Sequence, residues 1–268
     1  MRKFNKALLS CTLLLFLSFN ASAEPSRGPA IIMIGGSLAS GDLPLNDQGV
    51  GVIGGLSMGR GSYLSLGHAL IKDPRLPGYV INEAQAGATT FTRAHCPLGG
   101  PCIPDLWRGF DEQLDRALAR VSFPGSTVYN AKFVVITGGN DCLHSNAFGI
   151  PQEETTPCNI DEINAYVDRL IAFGQRVLNL GMTPIFENNL PIDSIVLVPR
   201  PTQLWMMNKE QRREFNDLRI QRIRAELPGS VLLDIWDDNY EHFDGLHPTN
   251  KTASKAAAII AKYILDNS

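Results

Sequence analysis

Three residue types in this chain stand where acyl-transfer chemistry needs them. Ser37 follows the apolar run Ala30-Ile31-Ile32-Met33-Ile34 and two glycines, Gly35 and Gly36, while Asp244 and His247 share the turn Asp244-Gly245-Leu246-His247-Pro248. A serine hydroxyl becomes a nucleophile when a base takes its proton, the base is held in one tautomer by a carboxylate, and the developing oxyanion meets placed donors. Asp244 and His247 are close enough in one turn for carboxylate and imidazole to meet. Gly87 can supply a backbone N–H and Asn140 a side-chain amide. These residues are scattered over more than 200 positions, so the fold must gather them.

The elements that would do so are legible as apolar runs alternating with periodic segments. Residues 30–34 form an uninterrupted apolar run, which suits a strand buried on both faces of a parallel sheet. Further strands are expected at 79–82, 132–137, 183–187 and 231–235. Helices are expected at 62–72, 111–121, 208–227 and 249–265. The longest apolar stripe runs from Ile163 to Leu178, opened by a capping box at Asn159 and Glu162 and closed at Gly181. Strands alternating with helices imply a parallel sheet covered on both faces. All strand carboxyl ends of such a sheet lie along one edge, where ligands bind. The glycine-rich stretch 42–61 and the aperiodic stretch 91–109 are read as loops.

At this point the residues resemble a known family. Gly35-Gly36-Ser37-Leu38-Ala39-Ser40-Gly41, Gly87, Gly138-Gly139-Asn140-Asp141 and Asp244-Gly245-Leu246-His247 are similar, in order and spacing, to blocks I, II, III and V of the SGNH hydrolases, also called GDSL esterases and lipases. The resemblance implies a flavodoxin-like three-layer α/β/α sandwich with a five-stranded parallel sheet. It also implies a carboxylic ester hydrolase working through an acyl-enzyme, with no metal or organic cofactor. Ser37 would be the nucleophile, His247 the base and Asp244 its partner; the N–H groups of Ser37 and Gly87 and the amide of Asn140 would hold the oxyanion. The family usually carries Asp where this chain has Gly36. An acyltransferase with the same triad, or a ligand-binding protein without catalysis, is the alternative function.

Other motifs compete for the same roles. Gly55-Leu56-Ser57-Met58-Gly59 matches the G-x-S-x-G elbow, which requires a strand before and a helix after; here it lies in the glycine-rich stretch, so Ser57 is read as a loop serine. Asp141 and His144 repeat the D-x-x-H spacing, and His247 is preferred as base because it stands between the last strand and the last helix. His68, His95 and His242 are read as ordinary helix or loop residues. Residues 204–207, Leu-Trp-Met-Met, are read as core packing with an acyl-binding role as the rival. Arg212, Arg213, Arg219, Arg222 and Arg224 alternate with acids and read as a solvated helix face.

Composition narrows the partners and the compartment. Arg2, Lys3 and Lys6 precede an apolar core at 7–19 and the small-x-small pattern Ala21-Ser22-Ala23, so residues 1–23 read as a signal peptide and 24–268 as one hydrolase domain. No later stretch is long and apolar enough to span a bilayer. The formal charge of −3 becomes −6 without those three basic residues, which disfavours nucleic acid and anionic membrane as partners; the resemblance implies a small-molecule, lipid or acylated-sugar ester as substrate. Four cysteines remain after the leader, Cys96, Cys102, Cys142 and Cys158, an even number in a chain expected to be periplasmic or secreted. They allow three pairings, of which the local ones, Cys96 with Cys102 and Cys142 with Cys158, are expected. The spacings lack a CxxC pair, so a zinc site is not expected.

Overall fold

The computed structural model describes residues 30–40, 51–53, 56–58, 65–76, 79–95, 101, 103–121, 131–142, 158–188, 191–193, 207–242 and 246–268. In chain order the elements are β1 (Ala30–Ile34), α1 (Ser37–Ser40), β2 (Gly51–Ile53), β3 (Leu56–Met58), α2 (Leu66–Ile71), β4 (Val80–Asn82), β5 (Arg93–His95), β6 (Ile103–Trp107), α3 (Phe110–Val121), β7 (Ala131–Ile136), α4 (Ile160–Asn179), β8 (Thr183–Glu187), α5 (Lys209–Glu226), β9 (Val231–Leu233) and α6 (Asn250–Asp266). Five of the strands form one sheet in the order β4-β1-β7-β8-β9. Every neighbouring pair in it is parallel.

The apolar runs explain why this sheet is covered on both faces. Successive strand side chains point to opposite sides. Ile32, Ile34, Val134, Ile136 and Phe186 pack on one side with Phe110 and Leu114 of α3, Ile163 and Val167 of α4, and Phe215 and Ile223 of α5. Ile31, Met33, Phe133, Val135 and Ile185 pack on the other with Leu66 and Leu70 of α2 and Ala253, Ala256 and Ile260 of α6. The result is the expected three-layer α/β/α sandwich. Capping boxes at Asn159 with Glu162 and at Asn208 with Gln211 start α4 and α5, each satisfying backbone donors that helix ends leave open. The two helices are joined across their packing face by Tyr166 stacked on Phe215, ring centroids 4.4 Å apart. No described helix is long and apolar enough to cross a membrane.

Numbered along the sheet alone, the strand order is 2-1-3-4-5, and it reverses between β1 and β7. The carboxyl ends of strands flanking such a reversal open onto a crevice where ligands bind. Ser37 begins immediately beyond β1 and Asn140 lies just beyond β7.

Two stretches read as loops contain short antiparallel pairs. Val52 faces Ser57 in a β2-β3 hairpin, and Arg93 faces Trp107 in the pair β5-β6. Gly54 and Gly55 between Val52-Ile53 and Leu56-Ser57-Met58 are a hairpin signal that the surrounding glycines obscured. Arg219 also departs from expectation: it is 2 % exposed, not part of a solvated face.

Candidate active site

The nucleophile turn is built by close approach. Gly35 has φ +146°, and a Cβ there would sit 2.0 Å from Thr137 Oγ1, so only glycine fits. A Cβ on Gly36 would sit 2.7 Å from Asn140 Nδ2 and 3.2 Å from the Gly138 carbonyl oxygen. The amide of Asn140 therefore lies directly beside the residue before Ser37. The single turn of α1 that carries Ser37 is fixed from outside, because Ser65 Oγ and Asn82 Nδ2 both donate to the Ala39 carbonyl, at 2.8 and 3.0 Å.

His247 reaches this turn from the other end of the chain. Its Nε2 lies 2.7 Å from Ser37 Oγ. His247 is 8 % exposed, and its loop is pinned on both sides. Tyr240 donates its hydroxyl to the Leu246 carbonyl at 2.6 Å, His242 bridges to Pro248, and the Thr249 N–H donates to Glu241 O at 2.9 Å. Thr249 then caps α6 through its side chain. Asp244 lies outside the described residues, as do His144, Cys96 and Cys102 and the expected signal peptide, residues 1–23.

The two other expected donors lie next to each other. Asn140 donates to the Ala88 carbonyl twice, from its backbone N–H at 2.8 Å and from Nδ2 at 2.9 Å. Nδ2 carries two hydrogens, so one remains for a ligand. Gly87 precedes Ala88, and its N–H has no hydrogen-bond partner among the described residues. Its carbonyl accepts from Arg93 Nη2 of β5. Burial pushes the Arg93 guanidinium down to about 10, against the attraction of Asp141.

Two backbone N–H groups of the turn beyond β7 are satisfied by buried side chains. Gly138 N–H donates to Glu187 Oε1 at 2.9 Å, Gly139 N–H to Tyr166 Oη at 2.5 Å, and Tyr166 Oη–H donates back to the Gly139 carbonyl at 2.9 Å. Glu187 also accepts from Trp236 Nε1 at 2.7 Å and lies 3.9 Å from Arg219. Burial holds the Tyr166 hydroxyl well above the usual phenol range and lowers the Arg219 guanidinium. Asp141 is committed elsewhere than to a histidine. Its carboxylate accepts from Thr90 N–H at 2.9 Å, from Thr90 Oγ1–H, and from Arg169 Nη2 at 2.8 Å. Burial raises its pKa in spite of these donors. Cys142, next in sequence, forms a disulfide with Cys158, Cα atoms 5.3 Å apart, as expected from the local spacing.

The remaining candidates fall away from this cluster. Ser57 belongs to β3 of an antiparallel hairpin, not to a strand-to-helix elbow of the main sheet. His68 lies on α2, and Met207 packs partly buried against the core while 204–206 lie outside the described residues. Sequence reading missed Gln113, Arg93, Thr90, Tyr166, Glu187 and Trp236. Gln113 and Glu187 carried a usable signal, since each is a polar residue inside an otherwise apolar buried pattern. The hydrogen bonds of the others depend on tertiary proximity alone.

A model of the GDSL-like lipase/acylhydrolase family matches residues 31–260. Among solved structures, a carbohydrate acetylesterase from Sinorhizobium meliloti is 16 % identical with a TM-score of 0.58, covering 90 % of this chain and 100 % of its own. The aryl esterase of M. smegmatis is 15 % identical with a TM-score of 0.58, over 89 % and 99 %. A carbohydrate esterase family 2 enzyme with a carbohydrate binding domain from Corynascus thermopiles is 18 % identical with a TM-score of 0.51, over 90 % and 67 %. No curated protein matches the chain. At these identities the likeness is one of fold.

Proposed function

The chain belongs to the GDSL-like lipase/acylhydrolase family and is a carboxylic ester hydrolase; from that premise we propose that it cleaves its ester through an acyl-enzyme on Ser37. The observation that carries this reading is the 2.7 Å contact between Ser37 Oγ and His247 Nε2. With the imidazole proton on Nδ1, Nε2 accepts the Ser37 proton as Oγ attacks the ester carbonyl carbon. His247 then hands that proton to the leaving alcohol. Water, activated by the same nitrogen, releases the acid and restores Ser37. Asp244 is the carboxylate that holds His247 in this tautomer, a role resting on its place three residues earlier in the turn. The N–H groups of Ser37 and Gly87 and the second Nδ2 hydrogen of Asn140 receive the oxyanion. These donors cost no reorganisation during the reaction, because the turns that carry them are already held.

The substrate in this reading is a small ester with a short acyl group, and it includes acylated sugars. The support is the likeness in fold to an acetylesterase acting on carbohydrate and to an aryl esterase. The reading also makes residues 1–23 a cleaved signal peptide and 24–268 the catalytic domain of an exported protein. The leader pattern and the Cys142–Cys158 bridge support it, since disulfides persist in oxidising compartments. A panel of p-nitrophenyl esters from acetyl to palmitoyl tests the whole. Turnover should fall as the acyl chain lengthens and vanish in Ser37→Ala and His247→Ala. Rates that rise with length overturn the substrate class, and an active Ser37→Ala variant overturns the mechanism.

A further inference from the structure

Ser37 is preceded by two glycines, so the turn that presents it has no side chain of its own to fix it. The support comes from α3. Gln113 is fully buried, and its Oε1 accepts from the Gly35 N–H at 2.9 Å while its Nε2 donates to the Gly35 carbonyl at 3.3 Å. Its second Nε2 hydrogen goes to the Arg108 carbonyl at 3.0 Å. Both donors and the oxygen of this amide are therefore used, which fixes its orientation. Gly35 shows its N–H and carbonyl to the same side, and Gln113 meets both as a neighbouring strand would. Gln85 completes the brace: its N–H donates to the same Gly35 carbonyl at 3.0 Å, and its side-chain oxygen accepts from Arg108 N–H at 3.1 Å.

We infer that Gln113 is a positioning residue for the nucleophile: it holds Gly35, and through Gly35 the position of Ser37 Oγ against His247. The inference rests on the reading of Ser37 as nucleophile. It follows from chemistry that an apolar core would not need. An amide in the buried stripe of α3, between Phe110 and Leu114, is worth its desolvation only where it meets backbone groups that would otherwise be buried unpaired. Those groups are the ones two residues before the reacting oxygen.

The test compares Gln113→Met, which keeps length and removes every hydrogen bond, with Leu114→Ala, which disturbs the same helix without touching the turn. Thermal midpoint, kcat and KM are measured on p-nitrophenyl acetate. A displacement of about 1 Å in a reacting group costs roughly 10²-fold. Gln113→Met should lose about 10- to 100-fold in kcat with KM nearly unchanged, while Leu114→Ala loses thermal stability and keeps its kcat. Should Gln113→Met not fold, Gln113→Asn serves: it keeps a neutral amide but is one methylene too short to hold both Gly35 groups, and the same kcat loss is expected. A folded variant of either kind with wild-type kcat overturns the inference. So does a kcat loss in Leu114→Ala equal to that in Gln113→Met. Activity in Ser37→Ala would instead overturn the underlying mechanism, whatever Gln113 does.

Discussion

Adding a single methyl group at Gly36 should cripple the oxyanion asparagine. A Cβ at that position lies 2.7 Å from Asn140 Nδ2, where ordinary contact begins at 3.4 Å, so the amide must retreat by about 0.7 Å. It cannot retreat freely, because its backbone and its Nδ2 are both tied to the Ala88 carbonyl. Losing one oxyanion donor outright removes roughly 2.7–4 kcal/mol of transition-state stabilisation, or about 10²- to 10³-fold in kcat. Asn140→Ala should show that full loss. Gly36→Ala should show a large part of it, on the order of 10- to 100-fold, with little change in KM. The decisive assay is the double-mutant cycle in ester turnover. Once Asn140 is alanine only the milder 3.2 Å approach to the Gly138 carbonyl oxygen remains, so Gly36→Ala should then have little further effect. Gly36→Asp, although it restores the residue usual in the resembled family, should be at least as damaging as Gly36→Ala. Wild-type kcat in Gly36→Ala, or losses that multiply in the double variant, would mean that the Gly36 position does not act through Asn140.

Three further outcomes follow from the same geometry. Asp141→Asn should cost less than about tenfold in kcat, because Asp141 serves Thr90 and Arg169; an orienting carboxylate in a serine triad costs about 10⁴ when amidated, and a loss of that size would make Asp141 the triad acid. Glu187→Ala should lower stability by about 3–5 kcal/mol in urea unfolding, since it leaves the buried Arg219 uncompensated and unpairs Gly138 N–H and Trp236 Nε1; an unchanged midpoint would remove Glu187 from the structural argument. Replacing Cys142 and Cys158 with serine should cost roughly 3 kcal/mol by the loop-entropy relation for a separation of 16 residues, read as a lower thermal midpoint that matches the reduced wild type.

The main sheet was legible because its strands are unbroken apolar runs. Residues 30–34 and 183–187 were read with the bounds they have, and the other three strands within one or two residues. The serine and histidine were legible because their turns carry glycine and proline at fixed offsets, which a strand-to-helix corner demands. Short antiparallel pairs were not, since three residues of β2 or β5 carry too little pattern to stand out among glycines and prolines. Arg219 was misread because alternating charge marks most of α5 as solvated, and nothing local shows that this one side chain turns under the sheet toward Glu187. Gln113 lay in view, at helical spacing from Phe110, Leu114 and Ala117, but what it meets is set by β1, 78 residues away. Sequence shows that a buried amide needs a partner. Only the fold shows which one.

In the proposed mechanism Ser37 is made nucleophilic by His247 in a site that already holds donors for an oxyanion. An organophosphonate reports on both conditions at once, because it bonds only to a serine whose proton is taken and whose phosphoryl oxygen is received. Peptide mass mapping of the labelled, disulfide-intact protein should find one adduct, on Ser37. Labelling should be abolished in His247→Ala and intact in Ser57→Ala. An adduct on any other serine, or a folded protein that takes no label, would rule out Ser37 as the nucleophile activated by His247.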